Sequence, residues 1–162
     1  LRSQPMLRSA LTALVRALPA PAAEAHCDGP CGVYDPASAR VAAEAVLSMT
    51  KKIKAMEAPA AGDAAALAAY NNTFGRYVAI KEEEAQKTKK ELLILWTDYF
   101  KPEHLATFPD LHDTFWKAAK LCSACKVNID QAKAEELMAA VEKVHGMFWQ
   151  SKGRSDAWVT AS

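Results

Sequence analysis

The stretch His26-Cys27-Asp28-Gly29-Pro30-Cys31-Gly32-Val33-Tyr34-Asp35-Pro36 gathers one imidazole, two thiols, two glycines and two prolines into eleven residues. Gly29-Pro30 and Gly32 favour a tight turn, so both thiols can face one point. If cleavage before His26 frees its amine, that amine, the backbone nitrogen of Cys27 and the Cys27 thiolate form two fused five-membered chelate rings. Cys31 can close the fourth corner of a plane, with the His26 imidazole above it as an axial ligand. A deprotonated backbone amide beside thiolates suits metals that prefer square-planar N/S fields, chiefly Ni(II) and Cu(II), and not tetrahedral zinc. Thiolates also stabilise the oxidised metal, which brings one-electron chemistry within reach.

A second cysteine pair, Cys122-Ser123-Ala124-Cys125, has the C-x-x-C spacing. Both positions fall on the apolar stripe of an expected helix, and buried structural cysteine is the favoured reading. A four-cysteine zinc site from Cys27, Cys31, Cys122 and Cys125, closing a helical interaction module, is the alternative, but it leaves the place of His26 unexplained. A dithiol redox protein using Cys122 and Cys125 is a further rival. His104, His112 and His145 are isolated and read as surface or hydrogen-bonded histidines. Trp96, Trp116 and Trp149 read as core or subunit-contact residues.

The elements around these residues divide the chain into three. Residues 1–25 carry Arg2, Arg8 and Arg16 but a single acid, Glu24, and place Leu7, Leu11, Leu14 and Leu18 at helical spacing. This is the pattern of a leader or propeptide, with Met6 as a possible true start, and Ala23-Glu24-Ala25 offers a small-x-small cleavage point. Residues 26–36 form the hook just described, and 37–162 read as helices. Asp35-Pro36 is a helix start, a capping acid followed by proline. Ala42, Val46, Met49, Ile53 and Met56 then mark one apolar face, ended by Ala58-Pro59-Ala60-Ala61-Gly62. Asp63 opens a second helix with the stripe Leu67, Tyr70, Phe74, Tyr77, Lys81, Glu84, Thr88, Leu92, Leu95 and Tyr99. Lys101-Pro102 and Phe108-Pro109 bracket a loop. The third helix carries Leu111, Phe115, Ala118, Cys122 and Cys125. Asn128 or Asp130 starts a fourth, with Leu137, Val141, Val144 and Phe148 inward. No alternating strand pattern and no internal repeat is found. The expected fold is all-α, an up-and-down four-helix bundle preceded by the hook.

Composition narrows the partners. Twenty Lys and Arg stand against nineteen Asp and Glu with no basic stripe, which argues against nucleic acid. No apolar run is long enough for a membrane span.

His-Cys-x-x-Pro-Cys-Gly-x-Tyr at the start of a mature chain, leading into a helical bundle, resembles the nickel superoxide dismutases. The likeness continues at Leu95-Trp96-Thr97-Asp98-Tyr99-Phe100-Lys101-Pro102, at Phe108-Pro109-Asp110-Leu111-His112 and at Phe148-Trp149-Gln150-Ser151-Lys152. It implies a homohexamer of four-helix bundles with one nickel per subunit and a propeptide removed by a maturation protease. The activity implied is disproportionation of superoxide to oxygen and hydrogen peroxide by Ni(II)/Ni(III) cycling. By this likeness His26 supplies amine and imidazole, Cys27 amide and thiolate, and Cys31 thiolate. Tyr34 and Tyr99 would stand at the open face and limit access to small anions. Lys101 and Lys126 match positions where the family carries lysines that could steer superoxide. The glutamate and arginine that often support the hook imidazole fall on Ala42 and Glu84 here. Glu84 is therefore left as the carboxylate for that imidazole, with Asp28 as a further supporting residue within the hook; the alternative is that residues 81–90 form a solvated charged face, with the apolar stripe slipping around the helix. A cytoplasmic location suits the likeness, and a plastid would suit the acid-poor leader in an algal source.

Overall fold

A computed structural model describes residues 32–161, and the leader 1–25 lies outside them. Helix α1 (Ala37–Lys54) begins where the Asp35 carboxylate accepts the Ala37 N–H at 2.7 Å and Pro36 supplies a preset φ. It ends at Lys54, so Met56 lies beyond it. Gly62, at φ 94°, takes the left-handed turn before α2 that a side chain would resist. Asp63 then caps α2 (Ala64–Ile94) by accepting the Ala66 N–H at 2.9 Å. α3 spans Leu111–Val127 and α4 Gln131–Ser151. Of the two expected starts for α4, Asp130 is the cap, accepting the Lys133 N–H.

Each helix packs on the next and α4 returns to α1, the up-and-down bundle expected from short connections. The core is filled by Val46, Ala85, Leu92, Leu95, Phe115, Ala118, Cys122, Leu137, Val141, Val144 and Phe148. The stripes expected for α3 and α4 are all buried. Thr50 and Thr88 are buried without penalty because their hydroxyls donate to Val46 O and Glu84 O one turn back.

The second helix departs from its expected stripe in two places. Its inward position beside Lys81 and Thr88 is Ala85, and Glu84 flanks it with 23% of its side chain exposed. Its first half is also less covered than the stripe implies: Leu67 is 49% exposed, and Tyr70, Phe74 and Tyr77 are only partly buried. The reason is length. α3 runs antiparallel to the second half of α2 and ends beside Lys81, so residues 64–80 extend past it. Lys81 is itself 1% exposed, and its ammonium donates to Cys125 O, Lys126 O (2.8 Å) and Asn128 O (3.3 Å), capping α3 from its neighbour. Among the described residues no helix is long and apolar enough to cross a membrane.

Candidate active site

α2 runs on directly into a single π-helical turn, Leu95–Tyr99, closed by Phe100 N–H donating to Leu95 O at 3.0 Å. Such a turn inserts a residue and re-aims the side chains that follow, a common feature of functional sites. Lys101 is then extended, as a residue before proline must be, and Pro102–Ala106 forms a short 3-10 helix. The result turns Tyr99 onto the start of the bundle. Its ring lies 5.5 Å from that of Tyr34, 4.5 Å from Phe148 and 5.0 Å from Phe100, and stacks on His104 at 5.9 Å. Its hydroxyl meets Ser151 Oγ at 2.6 Å, and the Lys152 ammonium stands 5.2 Å above its ring. His104 is fixed in turn because its Nδ1 accepts the Lys101 N–H at 3.0 Å.

The two tyrosines singled out by sequence are thus brought together. Lys101 follows Tyr99 by two residues and is exposed. Lys126 is not near them within one chain: its ammonium donates to Gln86 Oε1 at 2.8 Å, and Gln86 lies about 20 Å along α2 from Tyr99. Ser151, Lys152 and His104 were not legible as neighbours of Tyr99, since they come from α4 and from a loop that only the fold folds back. The aromatic and cationic tract Phe148-Trp149-Gln150-Ser151-Lys152 is the signal that could have pointed to Ser151 and Lys152. His26, Cys27, Asp28 and Cys31 lie outside the described residues.

The family model of nickel-containing superoxide dismutase matches residues 21–152. The chain belongs to the nickel superoxide dismutase family. It is 37% identical over 129 residues to the nickel superoxide dismutase of Streptomyces seoulensis, covering 79% of this chain and 88% of that one. The enzyme of Streptomyces coelicolor is 35% identical over 128 residues, with the same shares covered. A native nickel superoxide dismutase structure superposes with a TM-score of 0.68 at 34% identity, covering 79% of this chain and 99% of the other. A structure with nickel ligation of the oxidised state gives 0.67 at 37% identity, with the same shares covered. The protein is accordingly a superoxide dismutase, an oxidoreductase with a nickel cofactor.

The donor types of residues 26–31 fit that metal: two thiolates, an imidazole and, were the chain cleaved before His26, an amine and an amidate would offer the mixed N/S field that nickel favours. The zinc alternative does not stand. Cys122 and Cys125 are 0% and 1% exposed inside the core. Burial pushes the Cys122 thiol up to about 12, and burial pushes Cys125 up to about 11 against the opposing Lys81 charge. Metal-binding and redox-active thiols need the thiolate, which this setting disfavours. The dithiol rival falls with it. Among the described residues no group of three or more His, Cys, Asp or Glu is placed to hold a metal. The three remaining histidines have partners: besides His104, His112 Nδ1 accepts the Trp96 indole N–H at 2.8 Å, and His145 Nε2 meets Asp156 O at 3.0 Å.

Proposed function

We propose that residues 26–36 hold nickel through His26, Cys27 and Cys31, and that Tyr34 and Tyr99 form the wall past which superoxide must come. Bound there, nickel supplies the one-electron Ni(II)/Ni(III) chemistry that dismutation needs. The pairing of Tyr34 with Tyr99 at 5.5 Å carries this reading. Cys31 precedes Tyr34 by only three residues in the sequence, which supports a hook close to that pair. Packing on Phe148 and His104 keeps Tyr99 from swinging aside. Lys101 and Lys152 add positive charge around the aromatic cluster, which favours approach of an anion. Lys126, held by Gln86 about 20 Å along α2, would add to that field only from a neighbouring copy.

Glu84 lies about 22 Å along α2 from Tyr99 of its own chain, so it is proposed as the acceptor for the second imidazole nitrogen of His26 from a neighbouring copy, with Asp28 supporting the hook; orientation of a ligating histidine by a carboxylate is general practice in metal sites. What supports Glu84 is its half-buried place next to the inward stripe, with a long ion pair to Lys87 at 3.9 Å. The half-covered face Leu67, Tyr70, Phe74 and Tyr77 suits burial between copies, and we assign it to a homohexamer. We read residues 1–25 as a leader removed by a maturation protease, in the cytoplasm or, in an algal source, a plastid; the family match begins at residue 21, close to the proposed cut.

The test replaces Cys27 or Cys31 with Ser in protein starting at His26. Nickel content and superoxide decay should both fall to background while far-ultraviolet circular dichroism is unchanged, because both thiols precede the first helix of the bundle in the sequence. Normal decay rates in either variant would refute the ligand assignment.

A further inference from the structure

Ser151 is the last residue of α4, and its hydroxyl has one proton and two lone pairs. In a continued helix the Phe148 carbonyl would accept the Lys152 N–H. Here that N–H donates instead to Trp149 O at 3.1 Å, and the Ser151 hydroxyl takes over, donating to Phe148 O at 2.6 Å. A carbonyl oxygen can only accept, so the proton of Ser151 is committed. The 2.6 Å contact between Tyr99 Oη and Ser151 Oγ still needs a proton between its oxygens, and only Tyr99 can provide it. The chain of donors therefore runs one way, from Tyr99 O–H to Ser151 O–H to Phe148 C=O. The ring cannot rotate out of this arrangement easily, because Tyr34, Phe100, His104 and Phe148 pack around it.

We infer that Ser151 is a positioning residue that sets the hydrogen-bond polarity of Tyr99. With its proton held by α4, the phenol oxygen meets an entering molecule beside Tyr34 as an acceptor. It is then a partner for a protonated species, water or hydrogen peroxide, and not a donor that would hold an anion. Superoxide and other small anions would gain no hydrogen bond from Tyr99, so they would not be retained there. This rests on the placement of the nickel hook beside the tyrosine pair proposed above.

Removing the acceptor should release the proton. In Ser151→Ala, Tyr99 can turn its hydroxyl outward and donate to an anion, and one such bond to a charged partner is worth roughly tenfold in affinity. Azide is the probe, titrated against the nickel-loaded protein and followed by the visible and paramagnetic spectra of the metal. Ser151→Ala should bind azide roughly tenfold more tightly than the unmutated protein. Ser151→Thr, which keeps the hydroxyl, should bind as the unmutated protein does. Tyr99→Phe and Tyr99→Phe/Ser151→Ala should be indistinguishable, since without the phenol the serine has nothing to orient. A second readout needs no metal: in nickel-free protein the Tyr99 hydroxyl proton should exchange slowly with water and show cross-relaxation to the Ser151 β protons, and Ser151→Ala should abolish the signal. Equal azide affinity in Ser151→Ala, or failure of Ser151→Thr to restore it, overturns the inference. A fast-exchanging Tyr99 proton in the unmutated protein does so as well. If the unmutated, nickel-loaded protein does not dismute superoxide, the proposed site fails instead, and the proton-exchange result still decides the polarity of Tyr99.

Discussion

Replacing Lys81 with Met keeps the apolar stem and deletes the ammonium, which isolates the work of that charge. The three protons of the ammonium match three carbonyl acceptors at the end of α3: Cys125 O, Lys126 O and Asn128 O. Cys125 O is in buried surroundings, while the other two are only part-buried and can recruit water in the variant. One orphaned buried acceptor costs about 1–3 kcal/mol. Loss of a cation from a partly buried helix C-terminus adds up to about 2 kcal/mol. Against this stands the relief of an unfavourable burial: desolvation draws the Lys81 pKa below the ordinary lysine value, with Glu82, 3.9 Å away, pushing it back up. The net loss expected is about 2–3 kcal/mol, or roughly 8–12 °C in Tm for a folded unit of this size. Urea unfolding of the nickel-free protein measures the first figure. Amide exchange in the last turn of α3 should accelerate more than exchange in its first turn. If Lys81→Met is as stable as the parent within about 0.5 kcal/mol, burial of the charge outweighs its three hydrogen bonds, and the capping account is wrong.

Changing Cys122 and Cys125 together to Ala should leave dismutase activity and nickel content intact and cost roughly 1–3 kcal/mol of stability through small cavities. The two thiols titrate higher in the folded chain, at about 12 and about 11, than their ordinary value of 9.0, so the unfolded chain loses their protons first. Their contribution is therefore complete below pH 9 and fades as pH rises toward 11–12, and the stability gap between parent and double variant should narrow over that range in unfolding titrations. Truncation after Lys152 removes a tail beyond the family match in which Arg154 covers the Trp149 ring at 4.4 Å, Trp158 packs on His145 at 5.4 Å, and the Ala161 N–H donates to Glu44 Oε1 at 2.7 Å. We expect a loss of roughly 1–3 kcal/mol in thermal unfolding with activity per bound nickel unchanged; an equal Tm would show that these contacts contribute nothing.

The bundle was legible because α1, α3 and α4 keep strict apolar spacing and their starts carry Asp35-Pro36 and Asp130, whose caps form as expected. α2 was less legible, and for a physical reason. Its stripe mixes Lys81, Glu84 and Thr88 among apolar residues, and a buried lysine reads as a solvated one until the α3 carbonyls that receive it are in place. Without them the period could slip by one residue, which put Glu84 where Ala85 belongs. The π turn at Leu95–Tyr99 leaves no mark in the pattern, since it changes hydrogen bonding and not residue type. At the proposed site, Tyr34 was readable because it stands in one short stretch of sequence with the proposed ligands. Ser151 was not, because its meaning depends on one proton shared among Tyr99, Ser151 and Phe148, which are brought together from distant parts of the chain.

The central claim is that the nickel centre uses the free amine of His26. Two proteins test it most directly, one starting at His26 and one carrying a single extra residue before it, each loaded with nickel. An added peptide bond turns that nitrogen into a poor donor and prevents the two fused chelate rings. The measurement is superoxide decay together with the paramagnetic signal of the oxidised metal. The protein starting at His26 should be active and show the signal, and the extended one should lack both. Equal activity in the two would show that the amine is not a ligand and would contradict the account.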